Sequence, residues 1–283
     1  MALQGTRGRK RFWLFLLILL GASFTLLLGN VLAQDEPETI PSPLYSERVP
    51  FGEEFIHYMD TGEADLPLVI FIHGTPGSWG NFRHFMHYPS LRRAARMVSL
   101  DRPGFGKSNA GELVLTLEEQ AAAIEPLLDL NRSGKKTILV GHSLGGPIAA
   151  RVAMDYPSRV DGIFLVAPTL DPELERTKWY QALGRTTLIR WMVPKALFKA
   201  NKELKNLRQE LRDMLPLWEN IDAETIVLQG GKDPLVDPGN ADFVSRMLPE
   251  ERLEVWFHEE ISHFIPWKQP ELMVEGILQL IEK

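Results

Sequence analysis

Thr137-Ile138-Leu139-Val140-Gly141-His142-Ser143-Leu144-Gly145-Gly146 opens on a short run rich in β-branched and apolar residues and closes on a glycine-flanked serine. Pro147 to Asp155 then follows with helical character. A run of this kind predicts a strand buried on both faces, so the order is strand, sharp turn, helix. A serine at such a turn has its hydroxyl lifted above the end of the sheet. The turn crowds the positions two before and two after the serine, and glycine occupies both, at Gly141 and Gly145.

The pattern repeats on either side. Leu68–Ile72, Met97–Leu100, Ile163–Val166, Thr225–Leu228 and Leu253–Phe257 are further strand-like runs. Helix-like stretches (Leu117–Leu130, Pro147–Asp155 and Pro270–Ile281) separate or follow them. This alternation predicts an α/β fold, a mostly parallel sheet with helices on both faces. Ligand crevices in such sheets open at the carboxyl ends of the strands, which makes those ends the place to look for chemistry.

A serine hydroxyl is a weak nucleophile; it needs a base, and the base needs an acid to orient it. In this architecture the expected chain order is Ser, then Asp or Glu, then His, each at a strand end. After Thr225–Leu228 comes Gln229-Gly230-Gly231-Lys232-Asp233-Pro234-Leu235-Val236-Asp237, and after Leu253–Phe257 comes His258-Glu259-Glu260-Ile261-Ser262-His263-Phe264. His258 abuts its strand and is placed at the rim; His263 lies further along the loop, where it can reach back over Ser143. Asp233 is the expected acid, with Asp237 and Asp171 as the alternatives.

These residues, with His73-Gly74-Thr75-Pro76-Gly77 and Asp101-Arg102-Pro103-Gly104-Phe105-Gly106-Lys107-Ser108, resemble the α/β-hydrolase superfamily from about residue 55 to the C-terminus. The resemblance is to its esterase-like group, with a serine nucleophile and a helical cap inserted after the sixth core strand. It implies Ser143 as nucleophile, His263 as general base then acid, and Asp233 as the residue that orients it. It also implies an oxyanion hole from the backbone N–H groups of Thr75 and Leu144, and no metal or organic cofactor. Elementary physics agrees with the last assignment. Gly74 lets its loop turn the Thr75 N–H toward a reacting carbonyl, and Leu144 opens a helix, where free N–H groups favour an anion. Haloalkane dehalogenases and epoxide hydrolases on this fold use an aspartate nucleophile, whereas position 143 is serine. The turn 101–108 carries no obvious catalytic group and is read as the floor of the site; no Walker pattern surrounds it.

Between Thr169 and Ile221 the strand pattern stops, and this segment is the expected cap. Trp179, Leu183, Leu188 and Trp191 share one helical face; Leu204, Leu207, Leu211, Met214 and Trp218 share the next, with Pro194 dividing them. Residues 171–220 hold ten Lys and Arg against seven Asp and Glu, net +3. A solvated helical face accounts for that charge. The functional readings are a lid with Trp179 and Trp191 contacting substrate, or a face resting on an anionic membrane.

The chain has 283 residues, 45% of them apolar, no cysteine and a net charge of −6. That excludes disulfide scaffolds, zinc ribbons and thiol enzymes, and argues against a nucleic-acid partner. Arg7, Arg9, Lys10 and Arg11 precede an uncharged apolar run, Phe12 to Leu28, and Val31-Leu32-Ala33 offers small residues before Gln34. This is a signal peptide or an N-terminal transmembrane helix acting as an anchor. Either one exports the rest, to the periplasm or outside, or holds it on the outer side of a membrane. The organisation expected is therefore 1–33 as signal or anchor, 34–50 as a Pro- and acid-rich linker, 51–168 and 222–283 as hydrolase core, and 169–221 as cap.

The function expected is acyl transfer by a serine triad on a small or medium carboxylic ester, the partner being a small-molecule acyl substrate. Hydrolysis of a carbon–carbon bond and peroxide-forming chemistry are the alternatives on the same triad. A catalytically silent binding protein that keeps the fold is the reading from another class.

Overall fold

The computed structural model describes residues 43–108, 114–175 and 195–283. They all fall within one compact unit, Glu38–Lys283. The signal or anchor segment 1–33 lies outside the described residues, as do Trp179 and Trp191 of the expected cap.

Eight strands form one sheet: β1 (Tyr45–Phe51), β2 (Glu54–Asp60), β3 (Leu68–Ile72), β4 (Arg96–Leu100), β5 (Thr137–His142), β6 (Gly162–Val166), β7 (Glu224–Gly230) and β8 (Leu253–His258). Their spatial order is β1-β2-β4-β3-β5-β6-β7-β8. β2 is antiparallel to both of its neighbours, and every other pairing beyond it is parallel. β3 shows why its run is continuously apolar. Leu68, Ile70 and Ile72 join the core on one face, and Val69 and Phe71 join the core on the other.

The α-helices among the described residues are α1 (Pro89–Ala94), α2 (Leu117–Leu128), α3 (Gly145–Asp155), α4 (Lys195–Glu203), α5 (Leu207–Met214), α6 (Asn240–Met247) and α7 (Pro270–Glu282), with a single helical turn at Ile265–Lys268 and short 3-10 turns between the elements. α2 and α3 cover one face of the sheet, and α1 and α7 cover the other. The chain runs from β3 to β4 on one side and then returns to place β5 on the opposite side of β3. The carboxyl ends of β3 and β5 therefore flank a topological switch point, the place where ligands bind in open sheets of this kind.

One boundary is corrected. Residues 45–50, expected within the linker, form edge strand β1 together with Phe51, paired from Tyr45↔Asp60 to Phe51↔Glu54. Its first four side chains are exposed, so it lacks the alternation that marks a half-buried strand. Backbone hydrogen bonds to β2 hold it, and an edge position tolerates Pro50.

Candidate active site

Ser143 stands directly beyond β5 with a φ of 57°, in the left-handed region that L-residues avoid. The flanking glycines make this turn possible by close approach. A Cβ at Gly141 would lie 2.3 Å from the Gly145 carbonyl oxygen, and a Cβ at Gly145 would lie 2.1 Å from the Ile72 oxygen. The turn is tied down at both ends: the Ser143 N–H donates to the Val166 oxygen at 2.9 Å, and the Gly146 N–H donates to the Ser143 oxygen at 2.9 Å. α3 begins at Gly145, two residues before the predicted start, so Leu144 is the residue that caps it.

The loop after β3 passes over this serine. A Cβ at Gly74 would sit 2.9 Å from Ser143 Cβ and 3.4 Å from its Oγ, so only glycine fits there. Thr75 follows immediately. Among the described residues neither the Thr75 nor the Leu144 N–H donates to a protein group.

His263 comes from the loop after β8 and is buried. Its Nδ1 lies 2.7 Å from Asp233 Oδ2, with the two side chains 5% and 0% exposed. A carboxylate can only accept, so this nitrogen carries the proton and Nε2 is left as the basic site. Asp233 Oδ1 accepts the N–H groups of Leu235 and Val236, both at 2.8 Å, which fixes the carboxylate. The other acids are engaged elsewhere. Asp237 accepts the Gly239 N–H of its own turn at 3.0 Å, and Asp171 faces Arg246 at 3.1 Å. His258 is half-buried at the strand end, its carbonyl accepting the Gly231 and Ile261 N–H groups.

His142 joins the two halves. Its Nε2 lies 3.1 Å from the His263 carbonyl oxygen, its ring is 4.9 Å from the His263 ring, and Trp267 packs edge-on at 5.5 Å. Burial first, and the neighbouring His263 second, pull its pKa down to about 3. The residue next to Ser143 is therefore a neutral imidazole that donates to the backbone of the histidine loop.

Residues 67–212 match the family model described as the alpha/beta hydrolase fold. The chain belongs to that family. The match covers the loop after β3 and the serine turn and ends before Asp233 and His263. Among curated α/β-hydrolase relatives, the mouse (Mus musculus) protein named Epoxide hydrolase 4 is 32% identical over 112 residues, 39% of this chain and 30% of that one. The 2-hydroxy-6-oxo-6-phenylhexa-2,4-dienoate hydrolase of Comamonas testosteroni is 33% identical over 121 residues, 40% of each chain. The matched stretch thus spans less than half the length of either relative. Among solved structures, a membrane phospholipase A described as a bacterial virulence factor shares the fold with a TM-score of 0.65 at 21% identity, over 96% of this chain and 98% of that one.

Within this α/β-hydrolase frame, sequence reasoning missed two residues. In sequence Arg102 is one residue of a structural turn, and Glu203 is one charge in a segment whose charges fit a solvated face. Both are buried, and they pair with each other at 2.7 Å. The only sequence signal was the unusual position of an arginine directly after the buried strand β4 and Asp101.

Proposed function

We propose that this α/β hydrolase cleaves a small or medium carboxylic ester through Ser143, His263 and Asp233. The observation that carries the reading is the buried His263–Asp233 pair at 2.7 Å, packed against the residue preceding a serine held at positive φ. His263 Nε2 takes the Ser143 proton as Oγ attacks the carbonyl carbon. The oxyanion accepts hydrogen bonds from the Thr75 and Leu144 N–H groups, a contribution of typically about 3–4 kcal/mol per donor. Collapse expels the alcohol, which takes the proton from His263 and leaves Ser143 acylated. Water then gives its proton to His263, attacks the acyl carbon and releases the acid, and the proton returns to Ser143. Asp233 keeps its carboxylate throughout and stabilises the imidazolium.

Serine at the turn argues against epoxide opening, since the related epoxide hydrolases attack with a carboxylate. A second reading is carbon–carbon bond hydrolysis of a diketone on the same triad, favoured by the 33% identity to a hydrolase named for an oxo-dienoate. The segment Phe12–Leu28 supports an exported or membrane-anchored address. A panel of esters of graded acyl length, lactones, amides and vinylogous diketones separates the readings. Turnover of esters at least 100-fold above diketones is expected; the reverse order would replace the ester assignment, and no turnover of any class would favour a silent binding protein.

A further inference from the structure

Arg102 stands just past β4 and is fully buried. Each of its five guanidinium N–H groups has an acceptor. Nε donates to the His73 oxygen at 2.9 Å, and Nη2 donates to the Gly74 oxygen at 2.9 Å and to Glu203 Oε2 at 3.2 Å. Nη1 donates to Glu203 Oε1 at 2.7 Å and to Gln120 Oε1 at 2.5 Å. Glu203, the last residue of α4, is equally committed. Its Oε1 also accepts Gln120 Nε2 at 3.1 Å, and its Oε2 accepts the Thr75 hydroxyl at 2.5 Å.

Three of the groups held by this network, the His73 and Gly74 carbonyls and the Thr75 hydroxyl, belong to the loop that passes over Ser143. Holding those carbonyls toward Arg102 leaves the Thr75 N–H free for another acceptor. His73 adds to the same lock. Its Nε2 accepts the Arg102 N–H at 3.0 Å, which requires a neutral ring whose Nδ1 donates to the Gly74 oxygen at 2.7 Å. Lys199, four residues before Glu203 on α4, donates to the Gly104 carbonyl in the turn that carries Arg102. A buried arginine paired with a carboxylate adds little to stability over an apolar pair of the same shape, whereas its bidentate geometry fixes position closely.

We propose that Glu203 is a positioning residue for the oxyanion donor. Through the Thr75 hydroxyl and Arg102, it couples the seating of α4, from the segment between β6 and β7, to the direction of the Thr75 N–H. The inference rests on the proposed ester hydrolysis at Ser143. When α4 is seated, the donor is aligned; when α4 is displaced, Arg102 loses its carboxylate and the loop loses its hold at Thr75.

Thr75→Val isolates this role, because it deletes one hydroxyl and leaves the Arg102–Glu203 pair and the backbone N–H in place. The expected result with a p-nitrophenyl ester is a kcat lower by roughly 10- to 100-fold with KM within about 2-fold, the signature of a misplaced transition-state donor. Affinity for an alkyl boronic acid should fall in parallel with kcat, and Thr75→Ser should restore both. Glu203→Gln should lower kcat similarly, and adding Thr75→Val to it should cost little more, since both act through one contact. Wild-type kcat and boronate affinity in Thr75→Val would overturn the inference while leaving the ester assignment standing. Equal losses in Thr75→Ser and Thr75→Val would also overturn it, whether or not Glu203→Gln folds. Absence of ester turnover in the wild-type enzyme would instead remove the reading on which it rests.

Discussion

Asp233 illustrates how a single side chain is selected from several candidates. Three acids were open in the sequence, because order along the chain constrains the acid far less than it constrains the serine. Donor geometry supports the proposed acid: two backbone N–H groups and the His263 ring converge on Asp233, and Asp171 and Asp237 are held by other partners. Asp233→Asn should therefore lower kcat by roughly 10⁴-fold, because an amide stabilises the wrong imidazole tautomer. Asp237→Asn and Asp171→Asn should keep ester hydrolysis within a few-fold of wild type; a larger loss in either would reassign the acid. The glycines at 141 and 145 were legible because a tight approach admits no other residue. Arg102 and Glu203 were not, since they are 101 positions apart and charge alone reads as solvent-facing.

Buried histidines make a second prediction. His142 has its pKa pulled down to about 3 by burial and then by His263, and His73 is lowered well below 6.5 by burial and then by Arg102. Below pH 6.5 the unfolded chain takes up protons that these folded rings refuse. The stability present above pH 6.5 is therefore lost as pH falls toward the folded values, by up to about 1.4 kcal/mol per pH unit for each ring. Urea midpoints should drop between pH 6.5 and 5, and His142→Gln should make that drop shallower. An unchanged midpoint over that range would refute the assignment of neutral buried rings.

α5 shows what helical periodicity conveys and what it leaves out. Leu207, Leu211 and Met214 share a face of α5 as their spacing predicts, and that face is buried in the same core as α3. Leu204 lies before the helix and Trp218 in the 3-10 turn after it, so the expected single face is broken even though both residues pack on that core. Spacing identifies a shared face; only packing partners say what covers it. Leu211→Ala should destabilise the fold by about 2–5 kcal/mol in equilibrium urea unfolding, with relative rates on short and long acyl esters unchanged. A shift in acyl preference with intact stability would place Leu211 against substrate instead. β1 is the converse case. Its side chains carry no strand pattern, and pairing to β2 is a backbone property that composition hides.

The molecule as a whole was the most legible part. Buried parallel strands must be apolar throughout, so their positions and the helices between them stand out, and the proposed site lies at the switch between β3 and β5. Among the described residues no helix is long and apolar enough to cross a membrane, and Phe12–Leu28 lies outside them. The address is read from the full-length chain expressed in cells. A mature N-terminus at Gln34 is expected for secretion, and a membrane-bound chain retaining residues 1–33 for an anchor; a soluble cytoplasmic full-length product would contradict both. The decisive test of the chemistry is reaction of the wild-type protein with a fluorophosphonate, followed by mass spectrometry of the adduct. Stoichiometric phosphonylation of Ser143, abolished in folded Ser143→Ala and His263→Ala variants, is the predicted result; an unmodified Ser143 in the folded wild-type protein would contradict the serine-hydrolase assignment.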